Sequence, residues 1–201
     1  MSKDAPPLVQ ADPTSAKTLL RTEMRARRRS LAEEHPEACR RAAPLLPLEK
    51  LPPFTVVSGY RPQGSEMDPG PVMRLLQEKG ARLALPVAPS RDTPLIFRAY
   101  DPTAKLVPDA FGIPSPGPEA EELRPDLVIA PLVAFDRRGG RLGQGGGHYD
   151  RTIQNLKRDG AVFVLGLAYA GQEVARVPSE PHDERLDAIL TETGYIEVRK
   201  D

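Results

Sequence analysis

Apolar positions along this chain change period several times, and each change marks an element. From Ser15 the pattern is helical through SAKTLLRTEMRARRRSLAEEHPEACRRAAPLL. At roughly 100° per residue, Leu20, Met24 and Leu31 share one narrow apolar face, with Lys17, Arg21, Arg25 and Arg28 on an adjacent stripe. Thr14 or Ser15 is placed to cap the start, and Pro36 divides the segment into two helices. Residues 55–60 (TVVSGY) read as a short strand. Residues 69–79 (PGPVMRLLQEK) have Pro near the start and Gly80 past the end, the asymmetry of a helix. Strands are expected at 82–87 (RLALPV) and 95–100 (LIFRAY). The continuous apolar runs 126–130 (DLVIA) and 161–169 (AVFVLGLAY) predict strands buried on both faces. A helix over 149–159 separates those two, and short strands at 188–191 and 195–198 close the chain.

Strands alternating with helices around fully apolar central strands predict a three-layer α/β/α domain with a mostly parallel sheet. No repeat or linker divides residues 14–201, so one domain is expected there, preceded by a disordered tail over residues 1–13. Composition supports this: 201 residues with 39% hydrophobic and 28% charged residues are ordinary for a globular domain. The 28 basic and 28 acidic residues cancel. No overall field favours nucleic acid or an anionic membrane, and an anion site has to be built locally. Many of the 23 prolines fall in residues 1–13 and 102–125, which predicts tail and loop. Cys39, the only cysteine, excludes an internal disulfide and is expected to be a buried structural thiol in a reducing compartment. Neither a signal-peptide core nor a membrane-length apolar run occurs, which predicts a soluble cytoplasmic protein.

The strand at 126–130 is followed by PLVAFDRRGGRLGQGGGHYDRTI, mostly glycine between Gly139 and Gly147, with a helix starting at once. Glycines let backbone N–H groups turn inward on an anion, and the helix start adds partial positive charge. Arg141 and Arg151 flank the turn and can supply charge-assisted bonds to phosphate. Asp150 is placed to reach a metal riding on those phosphates. The competing reading is a surface loop whose glycines only tolerate sharp turns; its position at the carboxyl end of a central strand favours a ligand site. Neither a P-loop GK[ST] nor a GxGxxG fingerprint is present.

PLVAFDRRGGRLGQGGGHYDR, the Lys17–Arg21 pair, GYRPQGSEMD and HDERLDAILTETG, in that order, resemble the 5-formyltetrahydrofolate cyclo-ligase family over residues 15–196. The resemblance implies conversion of 5-formyltetrahydrofolate and ATP to 5,10-methenyltetrahydrofolate, ADP and phosphate, with magnesium and through a phosphorylated formyl (iminium phosphate) intermediate. It implies that Lys17 and Arg21, one helical turn apart, contact the ATP phosphates, and that Lys17 and Arg141 serve the chemistry. Arg141, Leu142, Gly143, Gln144, Gly145, Gly146, Gly147, His148 and Tyr149 would cradle ATP. Asp150 would hold magnesium, with Asp187 a second metal candidate that reads equally as a surface carboxylate near a strand start. Glu66 would pair with the N–H donors of a pterin edge, its competing reading being an acid at a helix N-terminus. Tyr60 and Phe135 would stack on a flat ring or fill the core.

The commonest family motif has tyrosine where this chain has Gln144 and His148, on the substrate-facing part; both are expected to bind substrate. Arg25, Arg27 and Arg29 are expected to form a solvated basic face, and His35 and His182 to lie on the surface. The partner implied is 5-formyltetrahydrofolate, mono- or polyglutamylated, bound by a monomer or weak homodimer. A related enzyme acting on sugar phosphates or thioesters would not need the glycine loop. A non-catalytic folate- or nucleotide-binding paralogue remains the alternative class.

Overall fold

The computed structural model describes residues 13–198. Most of the expected tail therefore lies outside the described residues, and Pro13 already opens the first helix, α1 (Pro13–Glu34). Proline suits a first helical position because its missing N–H has no partner to lose there. Thr14 and Ser15 thus fall inside the helix. The break at Pro36 holds: a short α2 (Ala38–Ala42) follows, and α3 spans Gly70–Glu78 and α4 His148–Asp159.

The strands are β1 (Val56–Ser58), β2 (Arg82–Val87), β3 (Ile96–Ala99), β4 (Val107–Pro108), β5 (Pro114–Ser115), β6 (Leu127–Pro131), β7 (Ala134–Phe135), β8 (Arg141–Leu142), β9 (Phe163–Leu167), β10 (Ala188–Thr191) and β11 (Gly194–Glu197). Seven form one sheet in the order β11-β10-β9-β6-β1-β2-β3. Its five inner strands run parallel, and β3 and β11 add antiparallel edges. The predicted mostly parallel α/β architecture is the observed one. From β1 the chain first moves outward to β2, then returns to β6 on the other side and continues to β9 and β10. The strand order therefore reverses between β1 and β6, which is where such sheets open a crevice at the strands' carboxyl ends.

Alternate residues of the central strands feed different layers. Leu127 and Ile129 of β6 and Leu165 and Leu167 of β9 pack with Ala42, Val72 and Leu76 from α2 and α3. Val128 and Ala130 of β6 and Val164 of β9 point to the other face, against Ile153 and Leu156 of α4. A strand covered on both faces has no polar side, which is why these segments read as continuous apolar runs. Cys39 is half-buried against the first of these clusters, and burial pushes its thiol pKa up.

Two features were not legible as elements. The proline-rich stretch expected as loop contains the small β4–β5 ladder, turned by Gly112 at φ 77°. The hairpin β7–β8 pairs Ala134 with Leu142 and Phe135 with Arg141. Its turn is closed by Asp136, 3% exposed, whose Oδ1 accepts the N–H groups of Arg138 (2.9 Å) and Gly140 (3.0 Å) and whose Oδ2 accepts that of Val177 (2.8 Å). Met24 of α1 seals the hairpin against Val133, Ala134, Leu142 and Val177. No helix among the described residues is long and apolar enough to cross a membrane.

Asp136→Ala removes one acceptor and strands three N–H groups. We expect a loss of about 3 kcal/mol in unfolding free energy, measured by urea denaturation. A midpoint like that of the parent chain would refute this role.

Candidate active site

A cleft of about 660 Å³ opens at the sheet's reversal point, with Tyr60 following β1, Pro86 and Ala88 at the end of β2, and Pro131 ending β6. The glycine-rich loop forms one wall. Gly145 (φ 105°) and Gly147 (φ 66°) occupy conformations that other residues rarely adopt, and Gly147 is the residue that turns the chain into α4. No side-chain cap closes that helix start, so its first N–H groups stay available beside the cleft.

Arg141 is delivered to the cleft by the last strand of the hairpin, with only 4% of its side chain exposed. It donates from Nη2 to Asp150 Oδ1 (2.6 Å) and from Nε to the Glu184 carbonyl (3.1 Å), while the Glu184 N–H donates back to Asp150 Oδ1 (3.0 Å). Leu142 also borders the cleft, with its side chain in the core at 1% exposure.

The two α1 cations predicted as a pair both reach the cleft. Lys17 Nζ lies 2.6 Å from Glu180 Oε2 and 2.6 Å from Asp183 Oδ2, with 7% of its side chain exposed. Burial works to lower its pKa, but the hydrogen bonds and charges of Asp183 and Glu180 outweigh it and raise the pKa. On Asp183 burial works upward, yet the bond from Lys17 and that from the Glu180 N–H win, and the carboxyl is held below its ordinary range. Arg21 donates from Nε to the Gly143 carbonyl (3.0 Å) and lies along Gly145.

Glu66 is drawn in by two elements. Its Oε1 accepts Gln144 Nε2 (3.0 Å) and lies 3.5 Å from Arg28 Nη1, while Oε2 accepts the Gln63 N–H (2.9 Å). Its side chain is 5% exposed, and α3 is headed by Asp68, whose Oδ1 accepts the Gly70 N–H (2.9 Å), so the helix-start reading does not describe Glu66. Gln144 is held in turn by Arg25, which donates to its Oε1 (3.0 Å) and its carbonyl (3.0 Å). Arg25 is thus engaged with the loop, contrary to the expected solvated face.

Of the aromatic candidates, Phe135 is fully buried core. Tyr60 lines the cleft but donates its hydroxyl to the Met67 carbonyl. Desolvation, then the Glu66 charge, push the phenols of Tyr60 and Tyr149 upward, so both act as neutral groups. His148 lines the cleft, and its Nε2 is buried with no hydrogen-bond partner.

Asp187 is not brought to this place. Its Oδ2 accepts the Val164 N–H (2.9 Å) at the amino ends of β9 and β10, while the cleft lies at the carboxyl ends. Glu180, His182 and Asp183 lie there instead, with ligand atoms within 4.8 Å of one another. His182, expected to be merely surface, sits on the cleft rim with 70% of its side chain exposed. Asp150 lines the same cleft, and carboxylate oxygens of this kind are the hard donors that magnesium takes.

A family model for the 5-formyltetrahydrofolate cyclo-ligase family matches residues 13–192. The chain belongs to that family. It is 35% identical over 177 residues to the 5-formyltetrahydrofolate cyclo-ligase of Escherichia coli K12, covering 84% of this chain and 96% of that one. The cyclo-ligase of Mycolicibacterium smegmatis is 34% identical over 152 residues, covering 71% and 77%. Among solved structures, the 5,10-methenyltetrahydrofolate synthetase of Aquifex aeolicus superposes with a TM-score of 0.73 at 29% identity, covering 92% of this chain and 94% of that one. The solved synthetase shares this fold, and residues from each of the motifs that carried the resemblance line one cleft.

The depressed Asp183 carboxyl predicts a pH signature. Its stabilisation is complete above the ordinary aspartate pKa of about 3.9 and disappears as pH falls through the lower folded value. The urea midpoints of parent and Asp183→Asn should therefore differ at neutral pH and converge in acid. A gap independent of pH would exclude the Lys17–Asp183 pair as its source.

Proposed function

We propose that this chain converts 5-formyltetrahydrofolate and ATP to 5,10-methenyltetrahydrofolate, ADP and phosphate, with magnesium. One observation supports this above the others. The glycine loop, Lys17, Arg21, Arg141 and Glu66 surround one volume, at the point where the sheet offers a ligand crevice.

In this reading the formyl oxygen attacks the γ-phosphorus and ADP leaves. An amide-like oxygen, a poor leaving group, becomes a phosphate ester in an iminium phosphate. N10 then attacks the formyl carbon and gives up its proton to the departing phosphate, the carbon–oxygen bond breaks with its electron pair going to that phosphate, and the ring closes. The protein need not supply a nucleophile. Its work is positioning and neutralising charge.

Lys17, Arg21 and Arg141 place cations around the phosphates, and the loop from Gly143 to Gly147 with the start of α4 adds N–H donors. Glu66 accepts from the pterin N–H groups, a role for which its present bonds to N–H donors of Gln63 and Gln144 are a model. Asp150 and Asp183 are the better-placed carboxylates for magnesium, which supplies further neutralisation of phosphate charge when bound. Asp187 takes no part.

The test mixes purified protein, magnesium ATP and 5-formyltetrahydrofolate and follows the absorbance of the conjugated product. The parent chain should form product, and Arg141→Ala or Asp150→Ala should lower kcat by about 100-fold or more while circular dichroism stays that of the folded protein. Rates like the parent's in either variant would refute the assignment of the loop. Bound ATP without product would instead mark a binding protein without turnover.

A further inference from the structure

Three large apolar side chains stay substantially exposed among the described residues: Leu19, Leu45 and Phe111. Only Phe111 faces the cleft. A phenyl ring 40% exposed inside a cleft offers a flat apolar surface to a ligand. The segment carrying it is also pinned. Asp109 Oδ1 accepts the N–H groups of Phe111 (2.8 Å) and Ile113 (2.9 Å), and its Oδ2 accepts that of Ala88 (3.2 Å) just past β2. Ala110 N–H donates to the Ala88 carbonyl (3.3 Å), and Gly112 N–H to that of Asp109 (3.0 Å). A phenyl ring on a turn fastened this firmly to the central sheet is preorganised.

Two groups complete the arrangement. The ring meets His148 edge to face, with centroids 5.2 Å apart at 90°, beside the buried and unpartnered His148 Nε2. A buried nitrogen without a partner is unfavourable, and a ligand atom that bonds to it removes that cost. The Arg91 guanidinium carbon stands over the same ring, 5.6 Å from its centroid. The Arg91 loop is itself clipped to the glycine loop, because Arg151 Nη2 donates to the carbonyls of Arg91 (3.3 Å) and Gly146 (2.9 Å).

We infer that Phe111 and Arg91 form the specificity element for the distal half of the folate. The Phe111 ring packs on the aminobenzoyl ring, His148 Nε2 hydrogen-bonds to a polar atom of the substrate, and Arg91 pairs with the carboxylates of the glutamate tail. This rests on the folate reading above. An adenine ring would also stack on Phe111, but it carries no anion beyond the ring for a cation at the rim. A glutamyl benzamide does. None of the three residues takes part in bond making; they act on binding.

The test is steady-state kinetics on Phe111→Ala, Phe111→Tyr and Arg91→Gln, with 5-formyltetrahydrofolate, its polyglutamylated form, and the analogue lacking glutamate. Phe111→Ala should raise KM for the folate about tenfold with a smaller effect on kcat and on KM for ATP, and Phe111→Tyr should restore most of it. Arg91→Gln should raise KM for glutamylated substrates by about fivefold, most for the polyglutamate, and leave the analogue without glutamate unaffected. Exposure of both side chains should keep melting temperatures near the parent's. A rise in KM for ATP alone would assign the ring to adenine and overturn the inference. Unchanged KM values in variants of an active parent would overturn it too. A parent that makes no product would instead refute the folate reading.

Discussion

The Arg141–Asp150 pair brackets the glycine loop, and the geometry of the cleft depends on it. Residues 143–147, four of them glycine, lose more backbone entropy on ordering than an ordinary sequence of that length, and they bury little to offset it. Here the two ends of the loop are joined directly, by a guanidinium leaving the hairpin and a carboxylate in the first turn of α4. Glu184 closes the knot from both its carbonyl and its N–H, which draws in the segment that holds Glu180 and Asp183. Removing either partner would leave a mostly buried charge unpaired, a loss of about 3–5 kcal/mol. The pair therefore organises the loop, the helix start and the tail segment together.

How much of this was legible follows from how local each cause is. The central strands were readable because burial on both faces leaves a continuous apolar run, as in Leu127–Pro131 and Phe163–Leu167. α3 was readable from its Pro and Gly punctuation, and the glycine loop from its composition. The hairpin of β7 and β8 was not. Two-residue strands carry no period, and its turn is held by Asp136, whose third partner, Val177, is remote in sequence.

The site divides along the same line. Lys17 and Arg21 are one turn apart on one helix, so their common direction could be read from spacing. That Arg25 grips Gln144, and that Arg28 is buried with its Nη1 on the Leu132 carbonyl (3.0 Å), could not, since those partners arrive from more than a hundred residues away. The HDERLD segment shows the limit most clearly. Its aspartates, Asp183 and Asp187, are four residues apart, but between them the chain runs from the cleft to the point where β10 begins, just after Asp187. One ends on the cleft and the other at the amino ends of the strands. Only the direction of that strand decides which of them faces a ligand.

Lys17 and Arg141 are each paired with carboxylates, Lys17 with Glu180 and Asp183 and Arg141 with Asp150. An anion that comes to them cannot simply fill an electropositive hole; it must displace acidic side chains that are themselves partly buried. Binding there is an exchange of partners, in which each released carboxylate needs a new counter-charge. An anion arriving together with a divalent cation satisfies both halves of the exchange at once, whereas either ion alone leaves one charge stranded. In the proposed ATP and magnesium reading, the cleft therefore favours the metal complex of a polyanion over the bare polyanion before any chemistry begins.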